Sequence, residues 1–431
     1  MFIGKRMDKF PVSLCLTTRR RLLLACGVLF ALMTSAVAQP ADEPADEPAH
    51  WRVSGFGTLG FVYHDEDNFR FRRSIEQPDG VKNGTLGTSV DSSAGLQIDG
   101  QLDHDWSLMA QGVSRQRADG DWDPSLTWGF VKYAPNDAFV LRLGRLGMDL
   151  YLDGDSRHVG YTFTTVRPAP LIYGLIAFDT YDGAELSVRH DLGSGQSWLK
   201  VYGGRTRGDS ALLNYYKPPR ATTLGTTYEW STHELMLSAT LAQIHAREDD
   251  AFSSLAGTLR SVGSTYGIAQ ASARADDIGG SSRIRFGGVA ASWERGPYSL
   301  KGVVAWLDYQ AFPDYHGWMS DYTAAYRIGK WKPFVSYSRS IIKAVDRPLA
   351  LPSVAALAPL ATRYQQVVGR LRDDEYTFGL GVRYELARNT ALKFQLDHIK
   401  AKRSLMQLDD DGQQMRDSRA NVFTVTLDYV F

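Results

Sequence analysis

The chain has 431 residues, 48 of them basic and 48 acidic, with two cysteines. Its length admits two or three soluble domains or one large barrel, its balanced charge speaks against a nucleic-acid binder, and beyond the first forty residues nothing approaches the ~18 consecutive apolar residues of a membrane helix. A membrane-spanning chain of this kind must use strands closed on themselves, the other structure that satisfies its backbone in hydrocarbon.

At the start, Lys5, Arg6, Lys9 and the arginines at 19, 20 and 21 precede an apolar run over 22–33 and then Ala36-Val37-Ala38. These are the charged region, apolar core and small-residue cleavage site of an export signal, too short to span a bilayer. Three arginines in a row also match a twin-arginine signal in part, and Leu23-Leu24-Ala25-Cys26 a lipoprotein box. The apolar run continues past Cys26, so an ordinary signal cleaved after Ala38 is expected, giving a signal peptide over 1–38, an acidic linker over 39–50 and a barrel over 51–431. Cys15 and Cys26 both leave with the signal, which excludes disulfides and cysteine-ligated metals from the mature chain. Six basic residues and one acidic residue leave too, so 42 basic face 47 acidic, a net charge of −5.

The linker repeats Ala-Asp-Glu-Pro twice and reads as solvated chain on the periplasmic side. The first strand is expected over 51–63. Its "GFGTLG" at 55–60 has the spacing of a dinucleotide-binding turn, but that motif needs a strand before it and a helix after it. Here more strand follows, so the glycines are read as relief for close strand contacts, and no cofactor is expected. A rhythm of short turns and longer polar loops then sets in. Strands are expected over 92–102, 106–115, 126–133, 139–145, 183–190, 197–203, 221–230 and 234–245. The tight turns fall at Asp103-His104-Asp105, Pro135-Asn136-Asp137, 192–195 and Ser231-Thr232-His233, and recur around Gly296, Gly329 and Asn389. That gives sixteen strands, seven tight periplasmic turns and eight longer external loops, the even count that a bacterial barrel requires. Trp106, Tyr133, Phe139, Tyr228, Trp230, Trp293, Tyr298, Tyr326, Trp331 and Tyr384 crowd the turns, as an interfacial girdle would.

The last strand carries Phe423, Val425, Leu427, Tyr429 and Phe431 at every second position, against Thr424, Thr426 and Asp428 on the other face. A side-chain period of two gives it one apolar and one polar side. This ending resembles the terminal signature of Gram-negative outer-membrane barrels. The whole pattern resembles a Gram-negative porin, and "LRLGRLGMDLYLDGDSRHVGYTFTTVRPAPLIYG" at 141–174 is similar to a largely uncharacterised group of porin-like proteins. The resemblance implies an all-β transmembrane antiparallel barrel of about sixteen strands, a homotrimer in contact with outer-membrane lipid and lipopolysaccharide. It also implies that the third external loop, about 146–182, folds into the channel as a constriction.

The expected pore-lining and constriction residues are Arg142, Arg145, Asp149, Asp153, Asp155, Arg157, Arg167, Arg189, Arg283, Arg285, Lys301, Arg383 and Lys393. Charges of both signs across a constriction set up a transverse field, or else form a solvated surface loop with internal pairs. Alternation adds Arg115, Lys200, Arg327 and Lys332 to the lumen, and Asp99, Glu185, Glu229, Asp321, Glu375, Asp397 and Asp428 on the acidic side. Cations outnumber acids, so the expectation is passive diffusion of small hydrophilic solutes with a weak preference for anions. Leu360, Tyr364, Val367, Val368 and Leu371 recur at helical spacing, yet an ordered loop is the expectation for 354–371. The acidic tips at Asp409-Asp410-Asp411-Gly412 and 119–123 lack the full calcium loop, and no metal is expected. Two rivals stand beside the channel: a receptor or adhesin using the external loops, and a rim hydrolase. The hydrolase needs a serine, histidine and acid in mutual reach, and His64, His158, His245 and His316 sit in no nucleophile motif, so no catalytic residue is assigned.

Overall fold

The computed structural model describes residues 51–150, 152–175, 178–207, 220–247, 253–278, 282–310, 315–344, 348–369 and 372–431. The expected signal peptide and linker lie outside them. Sixteen long antiparallel strands follow in order: β1 (Trp51–Tyr63), β2 (Ser93–Gln101), β3 (Trp106–Arg115), β4 (Ser125–Asn136), β5 (Phe139–Gly147), β6 (Thr180–Leu192), β7 (Gly195–Arg207) and β8 (Arg220–Ser231). Then come β9 (Leu235–Arg247), β10 (Ser282–Arg295), β11 (Tyr298–Gln310), β12 (Tyr315–Tyr326), β13 (Trp331–Ala344), β14 (Asp373–Ala387), β15 (Thr390–Leu408) and β16 (Gln414–Val430). Each pairs with its neighbours in sequence, and β16 closes on β1 from Phe56 opposite Val430 to Tyr63 opposite Phe423. Closure leaves no unpaired edge, which is what permits the sheet to stand in lipid.

The period of two sorts every strand into an inner and an outer face. On β16 Phe423 is exposed, whereas Thr424, Thr426 and Asp428 are fully buried. Leu224, Leu241, Val289, Trp318 and Leu380 continue the outer apolar belt. At the tight-turn end, aromatics pair across strands: Trp106 with Tyr133 at 4.6 Å between centroids, Tyr298 with Tyr326 at 5.0 Å, and Trp331 with Tyr384 at 4.3 Å. These rings are amphipathic and suit the boundary between lipid and water.

Inward-facing Gly144, Gly183 and Gly204 stand side by side on β5, β6 and β7. A Cβ on Gly183 would lie 2.1 Å from the Gly203 carbonyl oxygen, and Gly144 has a φ of +137°. The row lets the wall bend where side chains would collide. Gly183→Val is therefore expected to destabilise the barrel by about 3 kcal/mol through overpacking, read as a lower urea midpoint in detergent; an unchanged midpoint would refute the account.

Seven connections at the turn end are short, as the sequence predicts. At the other end the sixth and eighth are also short, residues 311–314 and 409–413, and only the rest are long. β15 and β16 compensate by running to 19 and 17 residues. Asp409 caps its own turn, its Oδ1 accepting the N–H groups of Asp411 at 3.0 Å and Gln413 at 2.7 Å. The first loop holds a two-residue hairpin, Arg70–Phe71 with Val81–Lys82, attached to the end of β15 at Leu408. The third loop contains one helical turn, α1 (Pro170–Tyr173). The fifth contains α2 (Ser253–Tyr266) and α3 (Ala269–Ile278), and the seventh α4 (Ala358–Gly369). The last corrects the expectation of a loop over 354–371. Leu360 and Tyr364, one turn apart, bury their side chains in a cluster with Leu255, Leu259, Ala271 and Ala275, and that packing gives the helix its reason to form.

Candidate functional site inside the barrel

The third loop runs through the interior and is fixed to two walls. Its first limb lies on β6 to β12, where Met148, Leu150, Ile172 and Phe178 pack against Tyr202, Ile244, Phe286 and Leu307. Asp149 meets Lys200 of β7 at 3.2 Å, and its carbonyl accepts bonds from Tyr202 Oη and Thr227 Oγ1, each at 3.2 Å. Burial pushes the Asp149 carboxyl up to about 6 in spite of Lys200. Its bound proton thus stabilises the folded chain at low pH, and that contribution is gone once pH rises through 6. Asp153 pairs with Lys301 of β11 and accepts Tyr173 Oη at 3.1 Å. Arg157 pairs with Asp179 at 2.8 Å, which Arg115 also reaches at 3.0 Å. Burial holds the adjoining His158 well below its usual value, so its ring is neutral at pH 7.

The second limb crosses to β14, β15 and β16. Lys393, fully buried, donates to the carbonyls of Gly160 at 2.7 Å and Thr165 at 3.0 Å, and lies 2.9 Å from Asp428. Arg383 donates to the carbonyls of Tyr161 and, at 2.8 Å, Phe163. Tyr161 Oη reaches the carbonyl of Arg388 in a tight turn at 2.9 Å. Arg167 grips Asp91 of the first loop with the Nε–Nη2 edge of its guanidinium, at 2.8 and 2.6 Å, and also touches Asp397 at 3.3 Å and Thr424 at 2.6 Å. Lys393 and Arg383 hold the loop from the wall, and Arg167 holds the wall and the first loop from the third loop.

The wall of β1 to β6 keeps its inward charges more open. Arg142 lies over the Phe130 ring at 5.4 Å and bonds Glu185 at 2.9 Å. Lys132 faces it in register across β4 and β5. Arg189 lies 3.5 Å from Asp191, Arg52 is exposed opposite Asp99, and Asp99 accepts bonds from Gln97 at 3.0 and 3.1 Å. Asp155 is exposed and within electrostatic reach of Arg142. Arg52 and Lys132 are absent from the residues expected here from sequence, although Lys132 alternates with the girdle residue Tyr133 and so faces inward by simple counting.

Three expected lining residues face away from the lumen. Arg145 shares the outer face with Leu143 and pairs with Asp182 at 2.6 Å in a polar groove at the external rim, beside Arg205. Arg283 and Arg285 share the outer face of β10 with exposed Val289, while Phe286 between them points into the buried interior. The cause is the height of the strands: above the hydrocarbon the outer face turns polar, and a charge there no longer marks the inside. The histidines lie apart as well. His64 Nε2 donates to the Val81 carbonyl at 2.8 Å, and Gln243 sits 2.7 Å from His245. Among the described residues no hydrogen bond joins the side chain of His64, His158, His245 or His316 to a serine.

A family model described as Gram-negative porin matches residues 25–404. No curated protein matches. Among solved structures, the in-vitro folded OmpT of Vibrio cholerae, in trimer form, is 12% identical with a TM-score of 0.52, covering 89% of this chain and 100% of that one. The anion-selective porin from Comamonas acidovorans is 14% identical with a TM-score of 0.51, covering 88% and 100%. Salmonella typhi OmpF in complex with daunomycin is 12% identical with a TM-score of 0.51, covering 88% and 97%. At such identities the likeness is one of fold.

Proposed function

Because the chain belongs to the Gram-negative porins and resides in the outer membrane as a channel, we propose that it passes small hydrophilic solutes by passive diffusion, with a modest preference for anions. The passage runs between the third loop and the wall of β1 to β6, and the loop is its constriction. The observation that carries the preference is the imbalance of charge along that wall: Arg52, Arg115, Lys132, Arg142 and Arg189 face inward, against Asp99, Glu185 and Asp191, with Asp155 added from the loop. Asp155 of the loop, within electrostatic reach of Arg142, supplies the acidic side of the field in the passage. The Comamonas acidovorans porin shares the fold, but the preference is argued from these residues.

A homotrimer is the assembly we adopt, on the model of the trimer form of the Vibrio protein. Outward Arg283 and Arg285, above the apolar belt, are placed to meet the phosphates of lipopolysaccharide in the outer leaflet.

A planar bilayer under a salt gradient tests the reading. A unit charge ~6 Å from an ion in water attracts an anion and repels a cation by roughly 0.7 kcal/mol each, so Lys132→Gln should lower the anion-to-cation permeability ratio by about tenfold. Clear cation preference in the unaltered channel would refute the proposal, and no conductance at all would refute passive diffusion.

A further inference from the structure

Asp373 and Glu375 open β14 two residues apart, both on the inner face and only 2% and 1% exposed. Asp373 Oδ1 accepts the Leu405 N–H at 2.8 Å, and Glu375 has Ser404 and Gln407 beside it. One oxygen of each carboxylate, Asp373 Oδ2 and Glu375 Oε2, has no hydrogen-bond partner. Ser340 Oγ is a third such atom. Ser340 is fully buried, faces Glu375 in the β13–β14 register and neighbours Asp373, yet its hydroxyl makes no bond of ordinary geometry. Among the described residues no cation pairs with either carboxylate. Arg339 is on the outer face with Asp374, and Arg72, buried against the same part of β15, donates to the carbonyls of Met406, Leu405 and Gln77.

The backbone is shaped around this spot. The β14–β15 register shifts between Asp374 and Glu375, with Lys402 as the extra residue, and the β15–β16 register shifts between Arg403 and Leu408. Bulges re-aim side chains, and they gather at functional positions. This one brings Ser404 to the inner side next to Glu375. Glu375 also lines a small cavity of about 30 Å³ together with Asp321, Asp397, Thr377, Gln407 and Arg167. That is room for one or two waters, and its one cation, Arg167, is already engaged with Asp91 and Asp397.

Two adjacent carboxylates out of water cannot both stay ionised without a counter-charge. A shared proton would serve two oxygens and leave the Ser340 oxygen and the acidic cavity unaccounted for. A hard cation takes all three oxygens and fills its remaining positions with water from the cavity. We propose that Asp373, Glu375 and Ser340 bind a divalent cation, with Ca²⁺ favoured over Mg²⁺ because the donor set is irregular and Mg²⁺ demands a near-ideal octahedron. The ion ties β13 and β14 to the bulged end of β15. That end holds the first loop, through Arg72 N–H to Gln407 Oε1 at 2.9 Å and the pairing of Arg70 with Leu408, so divalent cations order the loop that covers this side of the interior. The site does not depend on what the channel passes.

The test uses the mature chain folded in detergent, stripped with EDTA and titrated with CaCl₂ by calorimetry. One saturable site per chain is expected. Glu375→Gln should weaken it at least tenfold and Ser340→Ala severalfold, while Asp374→Asn, on the outer face, and the tip variant Asp409→Asn should leave it unchanged. Folding of each variant is checked by its heat-modifiable mobility on gels; if Glu375→Gln does not fold, Asp373→Asn and Ser340→Ala carry the comparison. No saturable binding in the unaltered chain overturns the proposal, as does binding that survives these inner-face substitutions. Stabilisation by acid alone, with Ca²⁺ without effect, would assign the pair to a shared proton and overturn it equally.

Discussion

Replacing Lys393 by methionine is expected to cost the folded barrel about 3–5 kcal/mol and to raise its single-channel conductance severalfold. Methionine fills nearly the same space, so packing is not the cause. The Nζ sits in a wholly buried position between Asp428 and the carbonyls of Gly160 and Thr165. Without it, Asp428 keeps, among the described residues, the hydroxyls of Thr58 at 2.6 Å and Thr426 at 3.2 Å. A buried charge stripped of its partner costs that much, and two loop carbonyls lose their donor besides. The cheapest relief is for the loop to leave the wall and admit water, which is why stability and conductance should change together. The double variant Lys393→Met with Asp428→Asn removes both charges and should recover a large part of the stability but none of the loop's attachment. Urea denaturation and bilayer recordings on the same preparations check both halves. A stable Lys393→Met barrel of ordinary conductance would show that this pair does not hold the loop.

The strands were legible in the sequence because lipid and lumen impose opposite polarity on alternate side chains, and the short turns interrupt that alternation with Gly, Pro, Asn and Asp. Where one face is not in hydrocarbon the code fails. Alternation carried along the chain reads Arg283 and Arg285 as inward, yet counting back by twos from Trp293 in the girdle puts both outside; the girdle was the better ruler. The helices over 253–278 had a signal too, with Leu255, Leu259 and Val262 spaced for one helical face, although small residues between them weaken it. The attachment of the third loop was not legible at all. Arg167 finds Asp91, Asp397 and Thr424 from three distant parts of the chain, and no periodicity links such positions. Nor does the sequence show that the first loop turns inward, since Phe69, Phe71 and Val81 acquire their burial only against Val62, Ile399 and Val422.

Arg167 is where those distant pieces meet, and its replacement by methionine should be the second severe lesion, again about 3–5 kcal/mol. Its guanidinium lies 4.9 Å from the Phe71 ring centroid while bonding Asp91, Asp397 and Thr424. Removing it leaves Asp91 with Arg73 at 3.9 Å and Asp397 with Gln395 at 2.6 Å. Lysine keeps the charge but offers no planar fork, so Arg167→Lys should recover only part of the loss. The distinctive consequence concerns coupling: because one side chain joins the first loop, the third loop and the β15–β16 wall, both loops should become susceptible to external protease at once. Lys393→Met, by contrast, frees the third loop and leaves the first against Ile399 and Val422. Limited proteolysis with mass mapping of the fragments separates the two outcomes. Cleavage confined to the third loop in Arg167→Met would mean that the first loop is held by its apolar contacts alone, and the guanidinium would then not be the joint between them.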